Sequence, residues 1–241
     1  MKICKKIKMI MLKLKKKMIP SKFTSENLKD LLKSTGIMIG KGTYFFDPTN
    51  TIVDTQRPEL IEIGEYCKIT ANVIILAHDY SRSVLRMKYG EILGEARKTI
   101  IKNNVFIGIN SIILPGTQVG NNVIIGAGSI VTGKIPDNVV IAGNPAKIIR
   151  TLDEHYKIRK ARYLNEAKQY AKCLNNKGIK PTVQNMGAFF PIYLERKKEE
   201  LIKNKINTKL NGDDEEDIIE KFLASKPLYD NFDEFIKDCN L

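Results

Sequence analysis

The chain has 241 residues, 43% of them hydrophobic and 28% charged, enough to bury a real core in one domain with an appendage. Its net charge of +13 is unevenly spread: residues 1–20 hold eight lysines and no acid, leaving +5 for the rest, which argues against a uniformly basic nucleic-acid binder. Cys4, Cys67, Cys173 and Cys239 are far apart and share no metal-ligand spacing, so free thiols in a reducing, cytoplasmic compartment are expected.

The chain opens on MKICKKIKMIMLKLKKKMIP. Lysines interrupt every apolar run, so it resembles neither a secretory signal nor a membrane span. Residues 1–36 are expected to form a basic helical segment. Its start is read either as a frayed tail or as an amphipathic helix on an anionic membrane face, peripheral at the inner membrane.

From residue 37 a period of six appears. An aliphatic residue recurs at Ile63, Ile69 and Ile75, and again at Ile101, Ile107, Ile113, Val119, Ile125 and Val131. Nine such hits in phase have a chance probability on the order of 10⁻⁵. Four residues after each aliphatic stands a small or β-branched residue, among them Cys67, Val73, Ser111, Thr117 and Ser129. This period matches neither a helix nor an alternating strand. It matches short strands joined by tight corners, three to a triangular coil. The aliphatics fill the prism, and Asn103, Asn104, Asn121 and Asn122 are expected at left-handed corner positions. The fold class is therefore mainly β: a left-handed parallel β-helix over 37–150, with a helical extension. Ile39 and Phe45 keep the phase, but Thr51 and Arg57 do not, so a degenerate coil is expected over about 37–60. After Ile75 the phase breaks, and residues 78–98 form a polar excursion of the kind that is usually functional.

Residues 151–241 change to helical patterns. Thr151 with Glu154 is a capping box, followed by an apolar stripe at Tyr156, Tyr163, Ala167, Tyr170 and Leu174. Further helices are expected over 188–206 and 216–238. Amphipathic helices need a surface to cover, and this segment is expected to pack on the β-helix or its neighbours, the alternative being a docking module for a membrane or capsule-assembly partner.

The run VFIGINSIILPGTQVGNNVIIGAGSIVTGKIPDNVVIAGNPAKIIR (105–150) resembles the hexapeptide-repeat acetyltransferases, a group that includes galactoside, maltose and capsular-polysaccharide O-acetyltransferases. GAGSIV (126–131) and GNPAK (143–147) carry the likeness most specifically. The resemblance implies a homotrimer with active sites between subunits, acetyl-CoA as the acyl donor and no metal. It also implies a sugar or polysaccharide hydroxyl as acceptor.

Within that resemblance ILAHDYS (75–81) sets His78 where the family keeps its catalytic base. Imidazole suits the task because its ordinary pKa lies near neutrality. Ala127 and Thr132 match residues that contact the pantetheine arm, and Ile109 matches a backbone contact near the thioester. Phe106 stands where a Trp often packs on the cofactor, and Lys147 and Arg150 match basic residues facing the CoA phosphates. Asp47 matches an acceptor-contacting position and, like Asp79, could orient His78. Tyr80, Ser81 and Arg82 open the excursion and are candidates for acceptor contact. His155, on a predicted helix, reads as a surface residue. With two histidines the chain cannot build the three-histidine zinc site of the γ-carbonic anhydrases, which share the fold. An N-acetyltransferase of a nucleotide-linked amino sugar and a non-catalytic scaffold remain as alternative readings.

Overall fold

The computed structural model describes residues 2–241, with the side chains of residues 2–6 and 8, Cys4 included, outside the description. It divides into two compact units, residues 1–155 and 156–241. In the first, α1 (Lys2–Met18) and α2 (Ser25–Thr35) precede the strands, so the opening segment is helical rather than frayed. α2 starts at a Thr24–Asn27 capping box and stops at Gly36, whose φ of +115° ends the helix in the left-handed conformation.

Three strands then make each coil. The first coil is β1 (Met38–Ile39), β2 (Tyr44–Phe45) and β3 (Ile52–Val53). The second is β4 (Ile61–Ile63), β5 (Lys68–Ile69) and β6 (Ile74–Ile75). After the excursion, which carries α3 (Arg82–Tyr89), come β7 (Thr99–Ile101), β8 (Val105–Ile107) and β9 (Ile112–Ile113). β10 (Gln118–Val119), β11 (Val123–Ile125) and β12 (Ile130–Val131) form the fourth coil. β13 (Lys134–Ile135) and β14 (Val139–Gly143) begin a fifth, and β15 (Ala146–Thr151) folds back antiparallel on β14.

Strands one coil apart pair in parallel, giving three sheets: β1-β4-β7-β10-β13, β2-β5-β8-β11-β14-β15 and β3-β6-β9-β12. Each sheet sends one ladder inward. Phe45, Ile69, Ile107, Ile125 and Ile141 are fully buried, and Val53, Ile75, Ile113 and Val131 line the second wall. Burying each such side chain contributes roughly 1.5–3 kcal/mol. The degenerate first coil has a local cause. Asp47 and Asn50 close a turn that adds two residues before β3, so Val53 rather than Thr51 enters the ladder opposite Ile75.

The corners are more specific than expected. Left-handed φ falls at Asn72, Asn104, Asn110, Asn122 and Asn138, not at Asn103 or Asn121. The latter two accept instead: Glu65 N donates to Asn103 Oδ1 (2.8 Å) and Asn103 N to Asn121 Oδ1 (3.1 Å). Side chains thus satisfy amides at the corners, where strand pairing stops. Gly108 meets a different demand. A Cβ there would lie 2.5 Å from Ala127 N, so only glycine permits the coils to approach this closely. At one end of the prism α2 lies over the first coil, with Leu28 and Leu32 buried and Ser25 Oγ accepting from Phe45 N (3.0 Å).

The second unit has its own core. α4 (Leu152–Asn176) begins at the expected capping box, with Thr151 N donating to Glu154 Oε2 (2.8 Å). Its buried residues are Ala167 and Ala171, with Tyr163 and Leu174 partly covered. Tyr156 and Tyr170 are exposed, which corrects the expected stripe. Pro191 restricts the expected 188–206 helix to a 3₁₀ turn, Gly187–Ile192, and to α5 (Lys198–Lys203). The expected 216–238 helix divides around Pro227 into α6 (Glu215–Ala224) and α7 (Phe232–Asp238). Phe235, Tyr193, Met186 and Ile192 close on Ala167 and Ala171. Among the described residues Cys67, Cys173 and Cys239 are free, and no helix is long and apolar enough to cross a membrane.

Candidate active site

The corner that follows β3, β6, β9 and β12 assembles the site. Register pairs Val53 with Ile75, Ile75 with Ile113, and Ile113 with Val131, so Asp54, Leu76, Leu114 and Thr132 stack as the next residues outward. His78 follows Ala77 at the same corner, where the chain leaves the coil for the excursion. The neck of that excursion is pinned: Arg97 N donates to Ala77 O (2.9 Å) and Thr99 Oγ1 to Leu76 O (2.6 Å). A side chain at the root of a 21-residue loop would otherwise share the loop's freedom, which these two bonds restrict.

Asp54 holds the ring of His78. Its Oδ2 meets His78 Nδ1 and also accepts from Ala77 N (3.2 Å), while Oδ1 accepts from Gln56 N (2.9 Å). The Asp54 side chain is only 4% exposed and that of His78 is 20% exposed. Burial alone would raise the Asp54 pKa. The bonds from Gln56 N, His78 and Ala77 N outweigh it and hold the carboxyl below its ordinary value. An ionised carboxylate at this position accepts a hydrogen bond from Nδ1–H, and the tautomer that donates it leaves the Nε2 lone pair free to accept a proton.

Asp54 was not among the residues predicted from sequence. Its partner is 24 positions away, and the pairing shows only once the register of β3 with β6 is known. The two carboxylates considered as orienters have other partners. Asp47 accepts from Asn50 N (3.1 Å) and Nδ2 (2.9 Å), and Asp79 accepts from Ser81 N (2.9 Å) and Oγ (2.7 Å). Those bonds hold the Asp79 pKa low. Tyr80 is largely exposed, and the Arg82 guanidinium lies 5.2 Å from its ring centroid. Both line a cavity of about 280 Å³ with Ser83, Arg86, Met87 and Ile92.

The residues expected to face acetyl-CoA fall into three groups. Thr132 shares the His78 corner, two coils on from Leu76. Ile109 and Ala127 share the neighbouring corner across the β6–β9–β12 sheet, where Gly128 N donates to Ile109 O (2.8 Å). Phe106 faces outward on β8, 41% exposed, in a row with Lys68, Ile124, Val140 and, on β15, Arg150. Lys147 is exposed on β15 just beyond the GNP turn. A depression of about 560 Å³ runs over Met38, Glu62, Ile100 and Lys102 and contains none of these residues. His155, half-buried, keeps its Nδ1 covered and without a hydrogen bond.

The profile of the family described as "Bacterial transferase hexapeptide (six repeats)" matches residues 98–133. Protein CapG of Staphylococcus aureus is 39% identical over 155 residues, covering 64% of this chain and 86% of that protein. The chain belongs to the bacterial hexapeptide-repeat transferases. As a member of that family it is an acyltransferase. A galactoside O-acetyltransferase of Escherichia coli is 39% identical over 127 residues, and the chain spans 60% of its length. A putative lipopolysaccharide biosynthesis O-acetyl transferase, WbbJ, of the same organism is 33% identical over 133 residues; the matched part is 49% of this chain and 66% of that protein. Among solved structures, a hexapeptide-repeat acetyltransferase of Vibrio cholerae aligns over 61% of this chain and 92% of its own, with a TM-score of 0.44 at 19% identity. In this hexapeptide-repeat transferase the matched repeats are β7 to β12, the coils that carry Phe106, Ile109, Ala127 and Thr132.

Proposed function

We propose that this transferase moves an acetyl group from acetyl-CoA to a hydroxyl of a sugar in a surface polysaccharide or its precursor, with His78 as general base. The observation that carries the reading is the His78–Asp54 pair, a buried carboxylate fixing the tautomer of a partly exposed imidazole. His78 Nε2 accepts the hydroxyl proton as the acceptor oxygen attacks the thioester carbonyl. The C–S bond then breaks and the proton passes to the departing CoA thiolate. Asp54 remains ionised and stabilises the imidazolium in between. Neither a covalent acyl-enzyme nor a second titrating residue is needed.

The sugar acceptor is supported by the names of the relatives, and the polysaccharide context by WbbJ. Winding is read as left-handed, as in the family. The assembly is read as a homotrimer in the cytoplasm, in which a second copy supplies the other wall of the acetyl-CoA groove. Exposed apolar side chains on the excursion, Met87 at 74% and Ile92 at 82%, are consistent with such a neighbour. Lys147 and Arg150 are read as the phosphate-binding end of the groove, Phe106, Ile109, Ala127 and Thr132 as its walls. Asp47, Asp79, Tyr80 and Arg82 are read as the acceptor side.

The deciding experiment measures CoA release with a panel of sugar acceptors. His78→Ala is expected to lower kcat by about 10² to 10⁴ with acetyl-CoA binding unchanged. Near-wild-type turnover of that variant, or acetylation of amines alone, would defeat the proposal.

A further inference from the structure

α1 has two apolar faces, and the reaction uses neither. One face is buried: Leu12 belongs to the core cluster with Phe23 and Leu28, and Met9 packs against it. This contact fixes the rotation of α1 on the protein body. Lys15 adds to it, with Nζ donating to Asn27 Oδ1 on α2 (2.7 Å).

The opposite face is open. At about 100° per residue, Ile7, Ile10, Met11, Leu14 and Met18 fall within one stripe of roughly 100°, directed away from Leu12. All five are between 47% and 73% exposed. A chain of this kind normally puts its one apolar stripe inward, so an outward stripe of large side chains on a docked helix calls for an occupant. Exposed lysines border the stripe at Lys13 and Lys17, and residues 1–20 contain no acid to offset their eight lysines. A protein groove would need matching acids at defined points. An anionic bilayer supplies diffuse negative charge around an apolar interior, which is the pattern α1 presents.

We infer that α1 seats this enzyme on anionic phospholipid surfaces. Ile7, Met11, Leu14 and Met18 enter the acyl–headgroup boundary, and Lys13 and Lys17 stay among the headgroups. The Leu12 contact holds the β-helix at a fixed orientation to that surface. This attachment is independent of the acetyl-transfer reading and stands or falls separately.

The chain has no tryptophan, so a single Leu14→Trp in the full protein is a silent-background probe. With phosphatidylcholine vesicles containing about 30% phosphatidylglycerol, its emission is expected to shift to the blue, with little shift on phosphatidylcholine alone. Co-sedimentation with the anionic vesicles should weaken at least about tenfold in Met11→Asp/Leu14→Asp. It should weaken several-fold in Lys13→Gln/Lys17→Gln, which leaves the apolar stripe and helix propensity intact, and fall as salt rises. Circular dichroism of each variant checks that the fold is retained. An unshifted Leu14→Trp emission on anionic vesicles overturns the inference, as does equal sedimentation of wild type and the lysine variant. A variant of lower molecular mass than the wild type, with no vesicle binding in either, assigns the stripe to a second copy and also overturns it.

Discussion

Replacing Asp54 by Asn tests the proposed mechanism most sharply, because it changes charge and hydrogen bonding with almost no change in shape. If the amide oxygen keeps the bond from Gln56 N, the new NH₂ group takes the place of Oδ2. It then faces Ala77 N, donor against donor, and donates to His78 Nδ1. A neutral imidazole that accepts at Nδ1 carries its proton on Nε2 and cannot take one from the acceptor. The expected fall in kcat is about 10² to 10⁴, as large as removing the base, while KM for acetyl-CoA stays near the wild-type value. The unsatisfied Ala77 N, and the loss of bonds to an ionised acceptor, should cost about 1–3 kcal/mol of stability. In a chain of this size that is a few degrees in melting temperature. The assay is steady-state thiol release, with thermal melting across pH. Because the native pKa of Asp54 lies below its unfolded value, its contribution is complete above about pH 4 and is lost as pH falls through the native value. The Asn variant should therefore show a shallower loss of stability on the acid side. An Asp54→Asn protein that melts normally and turns over at the wild-type rate would refute the positioning of His78 by Asp54.

Lys147→Ala is expected to raise KM for acetyl-CoA several-fold with kcat little changed; an unaltered KM would remove it from the phosphate end. Gly108→Ala sets a Cβ 2.5 Å from Ala127 N and should lower the melting temperature or prevent folding, whereas Gly90→Ala on the excursion, with open space around it, should cost only the strain of its positive φ. Phe235→Ala opens a cavity against Tyr193 and should cost about 3–5 kcal/mol in thermal or denaturant unfolding. Light scattering is expected to give three times the chain mass, and a fully active monomer would contradict the shared groove.

The ladder from Ile63 to Val131 was legible because each coil repeats one physical demand: an aliphatic inward and a small residue at the crowded corner. The ends of the repeat were not, because insertions and deletions there move the phase without changing the demand. The turn at Asp47 adds two residues before Val53, and the fourth coil closes two residues short, bringing Ile135 opposite Val119. His78 could be found through a motif. Asp54 could not, since a lone Asp in VDTQRP carries no local sign of a partner 24 residues on. Aligning VD at 53–54 with IL at 75–76 as equivalent coil positions would have exposed it. In the second unit, periodicity found helical sequence but overlooked Pro191 and Pro227, each of which stops a helix regardless of the apolar pattern around it.

The two ends of the prism are unlike its middle, and that difference sets how the protein behaves in a crowded solution. A stack of parallel coils offers at each end a ring of unpaired strand edges that another stack could extend, the growth mode of fibrils. Here α2 lies across the first coil and Ser25 occupies the amide of Phe45. At the far end β15 runs antiparallel to β14, giving the β14 edge a partner of opposite polarity. Both devices act as stoppers. Trimming residues 25–36, or breaking the β14–β15 turn, is therefore expected to trade a discrete particle for end-to-end polymers.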